Sequence, residues 1–356
     1  MEESSDIQSQ DKQDDSEHKH HLLFGGYQVK YILGEGGLGV VYLAKQLSMK
    51  RNVALKVLYP KWMKDAEFRK RFLLEARVVG KLSHPNLIQV FDIGYANDRY
   101  YFSMEYVKGN TIEDMIIQEG KLSVDRALDY CLQVLDALQY IWKNNLIHRD
   151  IKPNNIMVNE RNIAKLGDFG FVKSPGDESL DCGDFVLGTP DYISPEQAMG
   201  KEDLDYRCDI YSLGASLYHM VTGNAPYSGS DSMVINKHIK AAIPSPQSIV
   251  PDLPESICWV IEKMMAKSPE DRYQTYEELR LDFLRVKAGE NPKLQRIESN
   301  KSTIARIEDF GSMWMQICKL DEKIKTLQKK QYILITIIII LIVLCIILLA
   351  LLFFIK

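Results

Sequence analysis

A change of hydrophobic period near Gly109 is the feature that most limits what this chain can become. Before it, short runs rich in Val, Ile, Leu, Tyr and Phe occupy residues 27–33, 39–45, 53–58, 87–95 and 99–104, bounded by Gly, Asn and Asp, and each reads as a strand. A helical stretch over residues 66–82 interrupts them. After it, Val124, Leu128, Cys131, Leu135, Leu138 and Ile141 recur at steps of three and four, the spacing of one helix face. A small β-rich region followed by a larger helical one is an α+β arrangement. No internal repeat is visible.

Between the first two strand-like runs lies Gly34-Glu35-Gly36-Gly37-Leu38-Gly39-Val40, a GxGxxGxV pattern in which missing Cβ atoms let the backbone approach phosphate oxygens. A Gly-rich hairpin would look the same, and dinucleotide-binding folds use a related spacing. Those folds, however, need a helix directly after the glycines, and here a strand follows. Seventeen residues past Gly39, Val53-Ala54-Leu55-Lys56 sets a lysine on an otherwise apolar strand. A buried ammonium requires an anion. Glu75, in the helix that follows, can reach back to it, and nucleotide phosphates would supply the rest.

The richest string is His148-Arg149-Asp150-Ile151-Lys152-Pro153-Asn154-Asn155, with Asp168-Phe169-Gly170 beginning twenty residues after His148. Phosphoryl transfer asks mainly for alignment and charge neutralisation. Asp150 suits orienting a substrate hydroxyl and accepting its proton. Lys152 suits offsetting charge on the moving phosphoryl group. Asn155 and Asp168 offer the oxygen ligands that Mg²⁺ requires.

Together these strings resemble the eukaryotic-type protein kinase family, and more closely its bacterial serine/threonine branch. The likeness runs from about residue 27 to residue 284. It also takes in Met104-Glu105-Tyr106-Val107, Gly188-Thr189-Pro190, Ser194-Pro195-Glu196, Asp209-Ile210-Tyr211-Ser212-Leu213-Gly214 and Asp271-Arg272-Tyr273. The resemblance implies a bilobal protein kinase fold over residues 27–286, with an N-lobe (27–103), a hinge (104–108) and a C-lobe (109–286). It implies ATP and Mg²⁺, with Mn²⁺ as an alternative ion, and nucleotide contacts from residues 34–40, Ala54, Lys56, Glu105 and Val107. It further implies that Asp209 braces the catalytic loop and that Glu196 and Arg272 form a buried salt bridge. Lys152 and Thr189 resemble kinases that modify Ser or Thr on proteins rather than Tyr. All five catalytic polar residues, Lys56, Glu75, Asp150, Asn155 and Asp168, are present, which disfavours a catalytically dead scaffold. The Gly-Thr-Pro to Ser-Pro-Glu platform disfavours a small-molecule phosphotransferase.

One stretch departs from the family. Bacterial relatives usually carry threonines shortly before Gly-Thr-Pro; here stand Asp181, Cys182, Gly183 and Asp184, and the hydroxyls between Phe171 and Leu187 are Ser174 and Ser179. Asp181 or Asp184 could sit near Arg149 in place of a phosphate, or could simply be solvated.

Beyond the kinase-like region, the termini differ sharply. Residues 1–21 are rich in Ser, Gln, Asp, Glu and Lys with almost no apolar residues, and a disordered acidic tail is expected through residue 26. Without a basic start and apolar stretch this tail does not read as a signal peptide. Its His18, His20 and His21 are expected to be solvated rather than metal-bound. Residues 287–302 read as a polar linker. In residues 303–331, Phe310, Met313, Ile317, Leu320, Ile324 and Leu327 form a heptad-like seam. It could pair two chains through 310–327, or form a lone amphipathic helix on the kinase domain or bilayer.

Residues 333–355 contain no charge, proline or glycine, and 23 such residues suffice to span a bilayer as a helix. A transmembrane helix is expected over 332–355. Lys323, Lys325, Lys329 and Lys330 precede it, which places the kinase domain on the cytoplasmic side; the family branch implies a bacterial inner membrane. The six cysteines show no paired spacing, consistent with a reducing compartment. The net charge of −4 gives no ground for a nucleic-acid partner.

Overall fold

The computed structural model describes residues 22–168, 190–293 and 304–305, and for Arg71, Glu75, Ile304 and Ala305 the backbone alone. Six strands, β1 (Leu23–Phe24), β2 (Tyr27–Glu35), β3 (Gly39–Gln46), β4 (Arg51–Leu58), β5 (Val90–Ala96) and β6 (Arg99–Glu105), form one antiparallel sheet in the order β1-β2-β3-β4-β6-β5. Every run expected to be a strand contributes to it. Strand β1 is a correction, because it falls within the expected tail. Phe24 is buried edge-on against Tyr101, ring centroids 5.5 Å apart, and that contact fastens the chain from Leu23 onward.

Helix α1 (Ala66–Val79) is started by Asp65, whose carboxylate accepts from the N–H groups of Glu67 and Phe68. It was expected to reach residue 82 but ends before Gly80, a poor helix former. Lys81 and Leu82 then bond back three residues, to the carbonyls of Val78 and Val79. Leu87 and Ile88, expected to open a strand of the sheet, instead reach across to the other lobe. The Ile88 N–H donates to Leu166 O at 2.9 Å and the Leu166 N–H donates to Asn86 O at 2.8 Å. The Asn86 amide holds this crossing by donating to Ala164 O at 2.8 Å.

The second lobe is built on helices α2 (Ile112–Glu119), α3 (Val124–Lys143), α4 (Pro195–Ala198), α5 (Arg207–Thr222), α6 (Asp231–Lys240), α7 (Pro246–Ile249), α8 (Glu255–Met264) and α9 (Tyr276–Lys287). On α3, Leu128, Cys131, Leu135, Leu138 and Ile141 are buried as their spacing requires, with Val124 packing at the edge. Helix α5 is buried along its whole length from Cys208 to Thr222 and forms the axis of the lobe. Gly214 lets α8 approach it, since a Cβ there would lie 2.7 Å from Met264 Cβ.

A small antiparallel sheet, β7-β8-β9, joins Gly109–Thr111, Ile156–Asn159 and Ala164–Leu166. It carries the loop between α3 and β8 up toward the first lobe. Strand β10 (Ile243–Pro244) pairs in parallel with β11 (Ile304–Ala305). The helix expected from residue 303 therefore does not start there, because those two residues are extended against the C-lobe. Among the described residues no helix is long and apolar enough to cross a membrane. The apolar stretch 333–355 and the seam 310–327 lie outside the described residues.

Arg272 and Glu196 pin the short helix α4 to the helical core. Both are almost fully buried, and the guanidinium bonds the carboxylate twice, at 2.6 and 2.7 Å. Its remaining N–H groups donate to the carbonyls of Ala266, Arg207 and Lys267. Such a pair contributes little over an apolar substitute, but removing one partner strands a buried charge. Glu196→Ala should lower unfolding free energy by about 3–5 kcal/mol. Urea denaturation reads this directly, and an unchanged midpoint would rule out a buried, uncompensated Arg272.

Candidate active site

The loop that carries His148, Arg149 and Asp150 is braced from below by one carboxylate. Asp209, buried at the start of α5, accepts from the backbone N–H of His148 at 2.9 Å and of Arg149 at 2.8 Å. Burial pushes its pKa up to about 6, against the pull of those two donors, so at neutral pH it is a carboxylate. The brace holds Arg149 at φ 70°, a left-handed conformation that costs a non-glycine residue free energy. From the other side, Gln197 Nε2 donates to Arg149 O at 2.9 Å. Gln197 escaped sequence reasoning; the S-x-x-Q capping box it forms with Ser194 was the available signal.

On this braced loop the expected catalytic residues converge. Lys152 Nζ lies 2.8 Å from one Asp150 carboxylate oxygen and 3.1 Å from the other. Asn155 Nδ2 donates to the Asp150 carboxylate and to its backbone carbonyl, both at 2.8 Å. Burial raises the pKa of Asp150, and Lys152 opposes that rise. The result is a carboxylate held in one orientation, with two of its neighbours as hydrogen-bond donors.

Opposite stands Asp168, also at a positive φ of 55°. The Gly167 N–H donates to Asn155 O at 2.9 Å, which sets Asp168 next to Asn155. Lys56 Nζ, from β4 in the other lobe, meets Asp168 Oδ1 at 3.0 Å. The ammonium beside it holds the Asp168 carboxyl below its ordinary value. Lys56 is itself 9% exposed, so the expected buried ammonium on an apolar strand is present. Glu75 lies on α1; its side chain is outside the described residues, as are Phe169, Gly170 and the segment 171–189 with Ser174, Ser179, Asp181, Asp184 and Thr189.

The glycine loop joins β2 to β3 above this pair. A Cβ on Gly39 would lie 2.1 Å from Val57 O, so this position admits only glycine. Gly34 has open space where a Cβ would be, and Gly36 has nothing nearer than 3.9 Å. That space fits a polyphosphate approached by bare backbone. The loop's own turn is closed by the Gly36 N–H donating to Gly39 O at 2.9 Å.

Ala54 faces Met104 across the sheet, and Val53 faces Glu105. The Glu105 carboxylate pairs with Lys165 at 3.0 Å, its N–H donates to Gln89 O, and Val107 is buried. These residues line the connection between the lobes. For a divalent ion, the Asp168 carboxylate and the Asn155 amide oxygen are the donors at hand. Two hard oxygen donors suit Mg²⁺, which keeps waters and takes the rest of its shell from phosphates. No larger cluster of His, Cys, Asp and Glu able to hold a metal occurs among the described residues.

A cleft between a curled β-sheet and a helical lobe, with a lysine from the sheet facing an Asp-Lys-Asn cluster and a second aspartate, defines a protein kinase. The protein kinase domain family matches residues 27–284, and the chain belongs to the eukaryotic-type serine/threonine protein kinases, in their bacterial branch. It is 38% identical over 271 residues to a probable serine/threonine-protein kinase of Clostridium perfringens, covering 76% of this chain and 39% of that protein. It is 34% identical over 310 residues to the serine/threonine-protein kinase PrkC of Bacillus subtilis, covering 87% of this chain and 47% of that one. Against the serine/threonine-protein kinase PknB of Mycobacterium tuberculosis it is 38% identical over 278 residues, covering 76% and 44%. The chain thus spans less than half the length of these relatives. Among solved structures, the PknI kinase domain of Mycobacterium tuberculosis superposes with a TM-score of 0.60 at 28% identity, covering 74% of this chain and 97% of that one.

His148 gives the site a signature in acid. It is fully buried, its Nδ1 accepts the Asp150 N–H at 3.3 Å, and burial lowers its pKa from 6.5 to about 4. The unfolded chain takes up this proton near pH 6.5 and the native one only near pH 4, so acid favours unfolding across that window. Urea midpoints of the wild type should therefore fall more steeply between pH 6.5 and 4 than those of His148→Asn. Parallel curves would mean that His148 is not held neutral.

Proposed function

We propose that this chain is a membrane-tethered kinase that transfers the γ-phosphate of ATP to Ser and Thr hydroxyls of proteins, itself included. The observation that carries this reading is the Asp150 carboxylate, clamped by Lys152 and Asn155 on a loop that Asp209 braces, facing Lys56 and Asp168 across the cleft. The substrate hydroxyl would approach Asp150, which orients it and accepts its proton as the new P–O bond forms and the bond to the departing diphosphate breaks. Lys152, already beside Asp150, would offset charge on the phosphoryl group in flight. Lys56 would hold the α- and β-phosphates, with Glu75 as its partner on α1.

Asn155 and Asp168 would hold Mg²⁺, or Mn²⁺ in its place. When bound, the ion neutralises charge on the phosphates. The glycine loop (Gly34, Glu35, Gly36, Gly37, Leu38, Gly39, Val40) would cover the phosphates. Ala54, Glu105 and Val107 would bound the base. Phosphorylation of Ser and Thr, rather than Tyr, is supported by Lys152 and Thr189 and by the relatives' names.

The proposed layout keeps a kinase domain ending at residue 286 and a linker over 287–302. A juxtamembrane helix then begins after Ala305, and a membrane-spanning helix covers 332–355. The apolar run and the lysines before it support a cytoplasmic kinase domain at a bacterial inner membrane. The seam at residues 310–327 supports pairing of two chains, which would favour phosphorylation of one copy by the other.

Two experiments test this reading. The full chain in detergent, given labelled ATP, Mg²⁺ and a generic basic protein substrate, should label Ser and Thr; Asp150→Ala should slow transfer by about 10²–10⁴-fold while still binding ATP. Equal labelling by the variant would place the base elsewhere. In membrane fractionation, the full chain should stay with the bilayer through an alkaline carbonate wash and a version ending at residue 331 should not; release of both would refute the anchor.

A further inference from the structure

The glycine loop is held by a residue that none of the kinase motifs contains. Between β4 and α1 the chain makes a short turn, Pro60–Trp62, and from it the Trp62 indole N–H donates to Gly37 O at 2.9 Å, at the tip of the loop. One step along, the Tyr59 N–H donates to Leu38 O at 2.9 Å, and the Tyr59 hydroxyl donates to Glu35 at 3.1 Å. The indole is fixed in its turn, stacked on Phe68 of α1 at 3.9 Å between centroids and 28° between planes. Leu38, Trp62 and Met63 pack together onto the buried cluster of Leu58, Phe72, Ala76 and Phe102.

The consequence follows from the planarity of the peptide. In a trans peptide the N–H points opposite to the C=O. Fixing Gly37 O toward Trp62 turns the Leu38 N–H to the other side, and fixing Leu38 O toward Tyr59 does the same for the Gly39 N–H. Successive backbone N–H groups turned one way make a concave site for an anion. We propose that Trp62 is a positioning residue for the nucleotide, presetting the loop's N–H groups toward the phosphates and coupling the loop to the first turns of α1. The inference rests on the kinase reading above and adds a residue outside its motifs.

A polar handle at the loop tip should matter for phosphates and not for the base or the protein substrate. The test compares the full-length wild type in detergent with Trp62→Phe, which keeps the stack on Phe68 but has no N–H, and with Trp62→Leu, which keeps only apolar bulk. Losing one such hydrogen bond should raise the KM for ATP by about fivefold. The inhibition constant of adenosine and the KM for the protein substrate should stay at wild-type values, while the melting temperature of Trp62→Phe falls by only about 2–4 °C, the shift that one lost hydrogen bond brings. An unchanged KM for ATP in both variants, or adenosine and ATP weakening together, would overturn the role of Trp62. A wild type that binds no ATP would instead overturn the kinase reading itself.

Discussion

An ammonium inside an apolar sheet is the constraint around which the cleft is organised. Lys56 sits on the apolar stretch of β4, where a buried ammonium needs an anion, and Asp168 comes up from the other lobe to within 3.0 Å of it. That pair spans 112 positions of sequence and joins the two lobes at the place where phosphates would lie. It also explains why Asp168 tolerates a left-handed backbone: the conformation is held by the ion pair in front and by the Gly167 to Asn155 hydrogen bond behind.

Below that pair the helical lobe acts as a rigid base. Asp209 anchors the loop of His148, Arg149 and Asp150 to α5, the most buried helix, and Arg272 anchors the Ser194–Gln197 turn to the same core through Glu196. Gln197 then links that turn back to Arg149. The catalytic loop is thus fixed by buried groups, each of which would be costly to leave unpaired. Rigidity here matters because alignment is the larger part of what a phosphotransferase contributes.

Much of this was legible in the sequence. The strands announced themselves through apolar runs between turn residues, and α3 through its period. Lys56 stood out as a charge on an apolar strand, and Asp150, Lys152, Asn155 and Asp168 through the two strings that carry them. What escaped notice depends on side chains meeting across distance. Leu23–Phe24 looked like tail because two residues make no periodicity; only Tyr101, far along the chain, gives Phe24 a place to go. Leu87 and Ile88 looked like strand because their propensity is right, and tertiary pairing with Leu166 sent them elsewhere. Trp62 carried no motif, and its bond to Gly37 O is visible only once the loop and the turn lie side by side.

The central claim is that Lys56, Asp168 and Asn155 receive a nucleotide triphosphate together with its divalent ion. Calorimetric titration of ATP into the full-length wild type and Asp168→Asn, with Mg²⁺ and with EDTA, addresses it directly. The wild type should bind ATP more tightly with Mg²⁺ than without, and Asp168→Asn should lose most of that difference. ATP affinity that is indifferent to Mg²⁺ in the wild type, or equally Mg²⁺-dependent in the variant, would contradict the assignment.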